Sequence, residues 1–230
     1  MKSLIWNWPS RVFHLLLTVA IITVFLTGEE DSWRSLHIAA GSFAGVLIIF
    51  RLVYGFIGPK YSHFRDFTFN TIKIMDYFTT YFSKAKTYAG HNPAASVVMT
   101  LIFLFALASG LTGFILYGIE NNTLNIALSE DSIKDLHEGI AHLFLGLIVM
   151  HLIGAIADAI FHKKSGTLFS IFNGYKNIEA EESKLNGLHK VFAIVWFLVP
   201  FICFYLAFNL PITESKEKDK DKIEKAEDHD

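Results

Sequence analysis

Residues 136–153 read LHEGIAHLFLGLIVMHLI, an apolar run held between two histidines, His137 and His151. At about 100° per residue, the fourteen steps between them end roughly 40° short of four full turns. Both imidazoles therefore leave one face of one helix, separated by roughly 21 Å along its axis. Two ligand-type side chains on one face, nearly a membrane apart in depth, decide how the rest of the chain is read.

The surroundings of that run are of the same kind. The chain has 230 residues, 52% of them hydrophobic and 18% charged, and its mean hydropathy is +0.39. Soluble domains rarely carry so much apolar mass with so little charge, so the sequence is that of a membrane protein. Five apolar segments reach or approach the roughly 20 residues needed to cross the hydrocarbon layer. They run from about Ser10 to Gly28, Leu36 to Ile57, Ala94 to Gly118, Ile133 to Phe161, and Leu188 to Leu210 around Pro200. Lipid offers no hydrogen-bond partners, so each is expected to be a helix. Trp6, Trp8, Trp33, Tyr54 and Tyr117 fall near segment ends, where interfacial aromatics belong.

The fold class expected is an all-α membrane protein. Residues 1–176 form the transmembrane domain, residues 177–210 a linker and fifth helix, and residues 211–230 a charged tail with the composition of disorder. Lys2 and the run from Val12 to Leu26 imitate a signal peptide. However, Trp6, Trp8, Pro9 and Arg11 precede that run and no small-residue cleavage site follows it, so it reads as a retained first span. Residues 61–88 are too polar to span and too aromatic for a plain linker. They read as a short helix lying on the membrane surface.

Orientation follows from the basic residues. Lys2 and Arg11 lie at the N-terminus, Lys60, Arg65, Lys73, Lys84 and Lys86 between the second and third spans, and Lys163, Lys164, Lys176 and Lys184 between the fourth and fifth. The remaining connections hold Arg34 and Lys134 among Glu29, Glu30, Asp31, Glu120, Glu130, Asp131 and Asp135. The positive-inside rule then puts the N-terminus in the cytoplasm. No basic stripe offers a nucleic-acid site.

Depth now pairs the histidines. His14 opens the first span on the cytoplasmic side, and His37 opens the second on the outer side. Only His37 with His137 and His14 with His151 match in depth. Each pair is suited to clamp the iron of one haem from two helices, and bis-imidazole ligation favours electron transfer over oxygen binding. Cys203 is the single cysteine, so no Cys-x-x-Cys-His attachment exists and both groups would be non-covalent haem b. Arg11, Arg34 and Lys134 each precede a candidate ligand by three residues, which suits contact with a haem propionate; snorkelling at the interface is the competing reading. Arg51 lies fourteen residues after His37 and is placed by the same arithmetic at the inner level, where propionates would partner it. Gly41 and Gly45 give the second span a flat face for a porphyrin, or a small-residue packing face for another helix. Gly146 repeats the feature on the fourth span. His142 points about 140° away from the ligand face. His63, His162 and His189 read as interfacial, and His91 as the cap of the third span with a quinone contact as the alternative.

Several fragments resemble one family. They are Arg11-Val-Phe-His14, His37-Ile-Ala-Ala-Gly41, Phe50-Arg51-Leu-Val-Tyr-Gly55-Phe-Ile-Gly58-Pro59, His91-Asn92-Pro93-Ala94-Ala95, Gly110-Leu-Thr-Gly113, Leu136-His137-Glu138, His151-Leu-Ile-Gly154 and Asn173-Gly174-Tyr175-Lys176. Together they span roughly residues 5–176 and resemble the bacterial di-haem cytochrome b561 and Ni/Fe-hydrogenase b-type cytochrome group. Leu15 and Tyr54 depart from it, standing where relatives often carry tryptophan. The resemblance implies a four-helix core binding two b haems, with His14, His37, His137 and His151 as axial ligands. It further implies electron exchange with membrane quinone and an extracytoplasmic redox subunit or cytochrome as partner. The chain would then be an electron-transfer subunit rather than a catalyst by itself. A stand-alone oxidoreductase acting on a small outer-side substrate such as superoxide, and a histidine-lined metal channel, are the competing classes.

Overall fold

Four of the five long helices begin where a short polar side chain takes up a free backbone N–H group. Asn7 accepts from the Ser10 amide at the start of α1 (Trp8–Thr27). α2 (Arg34–Ile57) follows a single 3₁₀ turn at Asp31–Trp33. The Asn92 carboxamide accepts from the Ala95 amide at 2.7 Å and opens α4 (Pro93–Glu120), and Ser129 opens α5 (Glu130–Phe161). Asn186 and His189 form a reciprocal cap on α7 (Gly187–Phe208), which carries Pro200 inside it. The computed structural model describes residues 1–82 and 87–212. The expected tail lies almost wholly outside the described residues, as do Lys84 and Lys86.

These five helices are long and apolar enough to cross a membrane, and their bounds fall within a few residues of the segments read from sequence. Together they make a multi-span helical membrane bundle. α2 is its central element and packs against α1, α4 and α7, whereas α5 packs mainly on α4. The densest core lies among α1, α2, α4 and α7, where Phe13, Leu47, Phe50, Tyr54 and Phe103 are buried against Phe192, Trp196 and Phe197. α5 is different: of its 32 residues only Ile133 and Phe144 are buried.

The basic end of the bundle is knit by polar contacts. Asn7, 2% exposed, donates to the hydroxyls of Ser62 and Ser183 and accepts from the Tyr54 hydroxyl. Tyr54 is therefore a core residue stacked on Phe50 and Phe192, correcting its reading as an interfacial aromatic. A two-stranded ribbon joins β1 (Ser3–Leu4) to β2 (Tyr175–Lys176), antiparallel. Gly174 makes it possible. Its φ of 88° is open to few other residues, and its carbonyl accepts from the amides of Ile5 and Trp6. Between α2 and α4 lie a 3₁₀ turn at Phe64–Asp66 and the short α3 (Thr71–Thr80), the helix expected in that stretch. Between α5 and β2 lie a 3₁₀ turn at Lys163–Ser165 and α6 (Thr167–Asn173). The segment 177–186, expected as a linker, is tied down by Ser183, which donates to the Lys60 carbonyl and, through its amide, to that of Leu4.

Candidate functional site

The four histidines face each other in two pairs. The His37 and His137 ring centroids are 6.3 Å apart near the acidic end, and those of His14 and His151 are 6.5 Å apart nearer the basic end. α5 thus presents His137 and His151 across to α2 and α1, the helices with which it makes little close backbone contact. A Cβ added at Gly41, Gly45 or Gly146 would meet nothing within 4 Å, so each of these glycines borders open space.

The acidic-end pair is fixed in tautomer by its neighbours. His37 Nδ1 lies 3.0 Å from the Val24 carbonyl, which only accepts, so Nδ1 carries the proton and Nε2 keeps its lone pair. His137 Nδ1 lies 3.0 Å from the Thr112 hydroxyl. That hydroxyl donates back to the Ala108 carbonyl at 2.9 Å and so receives the His137 N–H. Both rings are left with an unprotonated Nε2, the form that binds metal. Among the described residues, no ring nitrogen of His14 or His151 has such a partner.

The flanking cations divide. Arg34 is ion-paired with Glu120 of α4, so its charge is already met by the protein, and Lys134 is exposed. Arg11 donates from Nη1 to the Phe172 carbonyl at 2.6 Å, while its buried Nε has no hydrogen-bond partner among the described residues. Arg51 is 8% exposed, with its guanidinium carbon 4.9 Å from the Phe64 ring centre and 5.5 Å from that of Phe103. Its buried Nη1 has no hydrogen-bond partner among the described residues. The structure therefore leaves orphaned cationic nitrogens at the basic end and a neutralised arginine at the other.

His91 was expected to cap α4, but Asn92 does so. The His91 ring instead sits between Trp6 and Phe67, at centroid distances of 5.1 and 4.8 Å. Burial, with the nearby Arg51 and Lys176 charges adding, holds its pKa down to about 3. Lys176 is 2% exposed and donates to the Tyr88 and Gly90 carbonyls; burial lowers its ammonium to about 8. His162, expected at the interface, is buried with Nδ1 3.2 Å from an Asp158 carboxylate oxygen. His189 serves in the α7 cap and reaches the Ile57 carbonyl with Nε2. Sequence reasoning missed Thr112 and Asp158, and it read Lys176 as a cation of the connection between the fourth and fifth spans rather than as a buried one. The signal for Asp158 was available: it is the only acid of α5 after Glu138 and lies seven residues beyond His151, hence on the same face.

A multi-span helical bundle with facing histidine pairs is the class of protein that fold and site define. Residues 5–174 match the family described as prokaryotic cytochrome b561. The chain belongs to that family, and with it to the cytochrome-type proteins of electron transport. Among curated relatives, one from Rhizobium leguminosarum bv. viciae is 27% identical over 142 residues, covering 49% of this chain and 59% of the relative. One from Bradyrhizobium diazoefficiens is 26% identical over 140 residues, covering 49% and 57%. Both are described as "Probable Ni/Fe-hydrogenase B-type cytochrome subunit". The chain spans less than three-fifths of the length of these relatives. No solved structure matches it.

Proposed function

We propose that this chain is a di-haem b-type electron carrier of the bacterial inner membrane, with α1, α2, α4 and α5 as its core and α7 as a fifth span. In this reading His37 and His137 hold one haem at the acidic, outer end. His14 and His151 hold the other at the basic, cytoplasmic end, where the N-terminus also lies. The observation that carries the proposal is the separation within each pair. Two imidazoles bound on opposite sides of one ion, each at about 2.0 Å with the ring centre about 1.1 Å behind the nitrogen, have centres about 6.2 Å apart. The observed 6.5 and 6.3 Å agree with that spacing at both levels.

When bound, an iron porphyrin supplies one-electron redox chemistry at each level. The protein's part is orientation and charge. Thr112 and the Val24 carbonyl fix the ligand tautomers of the outer pair. Gly41, Gly45 and Gly146 keep side chains out of the space between the helices. Arg11 and Arg51 offer unpaired cationic nitrogens suited to propionates.

Electron exchange with membrane quinone is assigned to the basic end, where the buried Arg51 lies within electrostatic reach of His91. An extracytoplasmic redox partner is assigned to the acidic end, and the names of the relatives make a hydrogenase-type subunit the first partner to test by co-purification. The decisive experiment is a pyridine haemochrome assay on the purified chain. Two haems per chain are expected, and a colourless protein from a haem-replete host overturns the reading.

A further inference from the structure

α4 supplies no histidine, yet two of its adjacent residues adjoin the His137 ring. The Thr112 hydroxyl meets Nδ1 at 3.0 Å. Beside it, a Cβ built on Gly113 would stand 3.1 Å from His137 Cε1, 3.5 Å from Nδ1 and 3.9 Å from Nε2. Comfortable carbon–carbon contact begins at about 3.5 Å, so a side chain fits there only if the ring gives way. The backbone does not ask for glycine at this position. Gly113 lies inside α4, and the positive φ angles among the described glycines belong to Gly166 and Gly174. Glycine in a helix interior costs stability relative to alanine, so some other constraint holds it here. The same helix holds a natural comparison: at the exposed Gly110, three residues earlier, an added Cβ would meet nothing within 4 Å. A Cβ at Gly28, beside His37, would stand 3.6 Å from Cε1, an ordinary contact. Among the described glycines, only Gly113 is closed to a methyl group by a histidine ring.

We infer that Gly113 is a positioning residue for His137. Having no side chain, it lets the imidazole lie against the α4 backbone in the setting where Nδ1 reaches Thr112 and Nε2 stays free for a metal ion. The inference rests on the proposed haem ligation and adds to it what fixes the plane of one ligand. The His37 and His137 ring planes cross at 83°, against 50° for His14 and His151. His37 is held in turn by the Val24 carbonyl. A methyl group at position 113 acts differently with and without the metal. In the free chain, the ring can relieve the contact by swinging a few tenths of an ångström, opposed by the Thr112 hydrogen bond. With iron on Nε2 both ring nitrogens are committed, and the ring yields only by loosening one of them. The penalty therefore falls on the bound state at the acidic end. A weaker bond at Nδ1 also makes the imidazole a poorer donor to ferric iron, which raises the midpoint potential of that centre.

The test compares Gly113→Ala with Gly110→Ala in the purified two-haem protein. Both replace a glycine of α4 with a better helix former, so they differ in the ring contact. Gly113→Ala is expected to weaken haem retention at the acidic end by about tenfold, read by transfer to apomyoglobin. It should raise one midpoint potential and shift the largest g value of one low-spin ferric EPR signal, which reports the angle between the two imidazole planes. His151→Ala, which keeps the acidic-end haem, assigns the signals. The basic-end midpoint and signal should stay in place, and Gly110→Ala should match the wild type throughout. An acidic-end signal identical in Gly113→Ala and wild type overturns the inference. So does an equal shift at both centres, or the same shift in Gly110→Ala. Should Gly113→Ala fail to fold, it is combined with His137→Ala. Recovery of a one-haem protein then supports the ring contact, and continued failure overturns it. A wild-type chain without haem would instead refute the ligation itself, which the haemochrome assay reads separately.

Discussion

The two ends of the bundle hold their histidines in different ways. At the acidic end both rings are clamped through Nδ1, and the nearest arginine, Arg34, is spent on Glu120. At the basic end neither ring has a hydrogen-bonding neighbour among the described residues. Around it instead are Arg11 and Arg51 with orphaned nitrogens, neutral His91, buried Lys176 and the Asp158–His162 pair. One end is set by geometry and the other by charge. A centre with fixed ligands and neutralised surroundings should keep a constant potential, whereas one among titratable groups should respond to pH and to charged partners.

The sharpest way to break this comparison is to remove one ligand at a time. His151→Ala is expected to reduce haem from two to one per chain and leave the acidic-end spectrum in place; equal loss of both haems would show that the levels are not independent. Next in size is Thr112→Val, which leaves the His137 N–H without its acceptor. It should weaken haem retention at the acidic end by about 10- to 100-fold while sparing the other centre. Competition with apomyoglobin would read both.

His91 gives a smaller, pH-dependent effect. Its folded pKa of about 3 lies below the unfolded value near 6.5, so the unfolded chain binds the proton first. Stability is therefore complete above about pH 6.5 and is lost progressively as pH falls toward 3, by about 2 kcal/mol at pH 5. Thermal unfolding in detergent should show that slope, and His91→Phe should remove its share. Smallest is Glu120→Gln, which unpairs Arg34 at a cost of about 1 kcal/mol. It should also raise the acidic-end midpoint by exposing a cation to that centre; no shift would mean that Arg34 lies too far from the iron to matter.

The spans were legible because length and apolarity suffice to define them, and lipid removes the alternatives to helix. The histidine spacing was legible because rotation along one helix is arithmetic. What escaped depends on how helices turn toward each other. Arg34 with Glu120, and His137 with Thr112, are contacts between spans whose relative rotation the sequence does not state. His91 illustrates the limit most clearly. His-Asn-Pro marks a helix start, but which of the two polar residues caps and which is buried was decided by Trp6 and Phe67, remote in sequence.

The small ribbon between Ser3–Leu4 and Tyr175–Lys176 also constrains biogenesis. Ser3–Leu4 has no strand to zip onto until the ribosome has passed residue 176, after the fourth long helix has been made. The first span must therefore wait in lipid with its leading edge loose, and the seam that draws α1 toward α5 closes late. Loading of prosthetic groups at the His14–His151 level would accordingly follow, rather than guide, insertion of the first four spans.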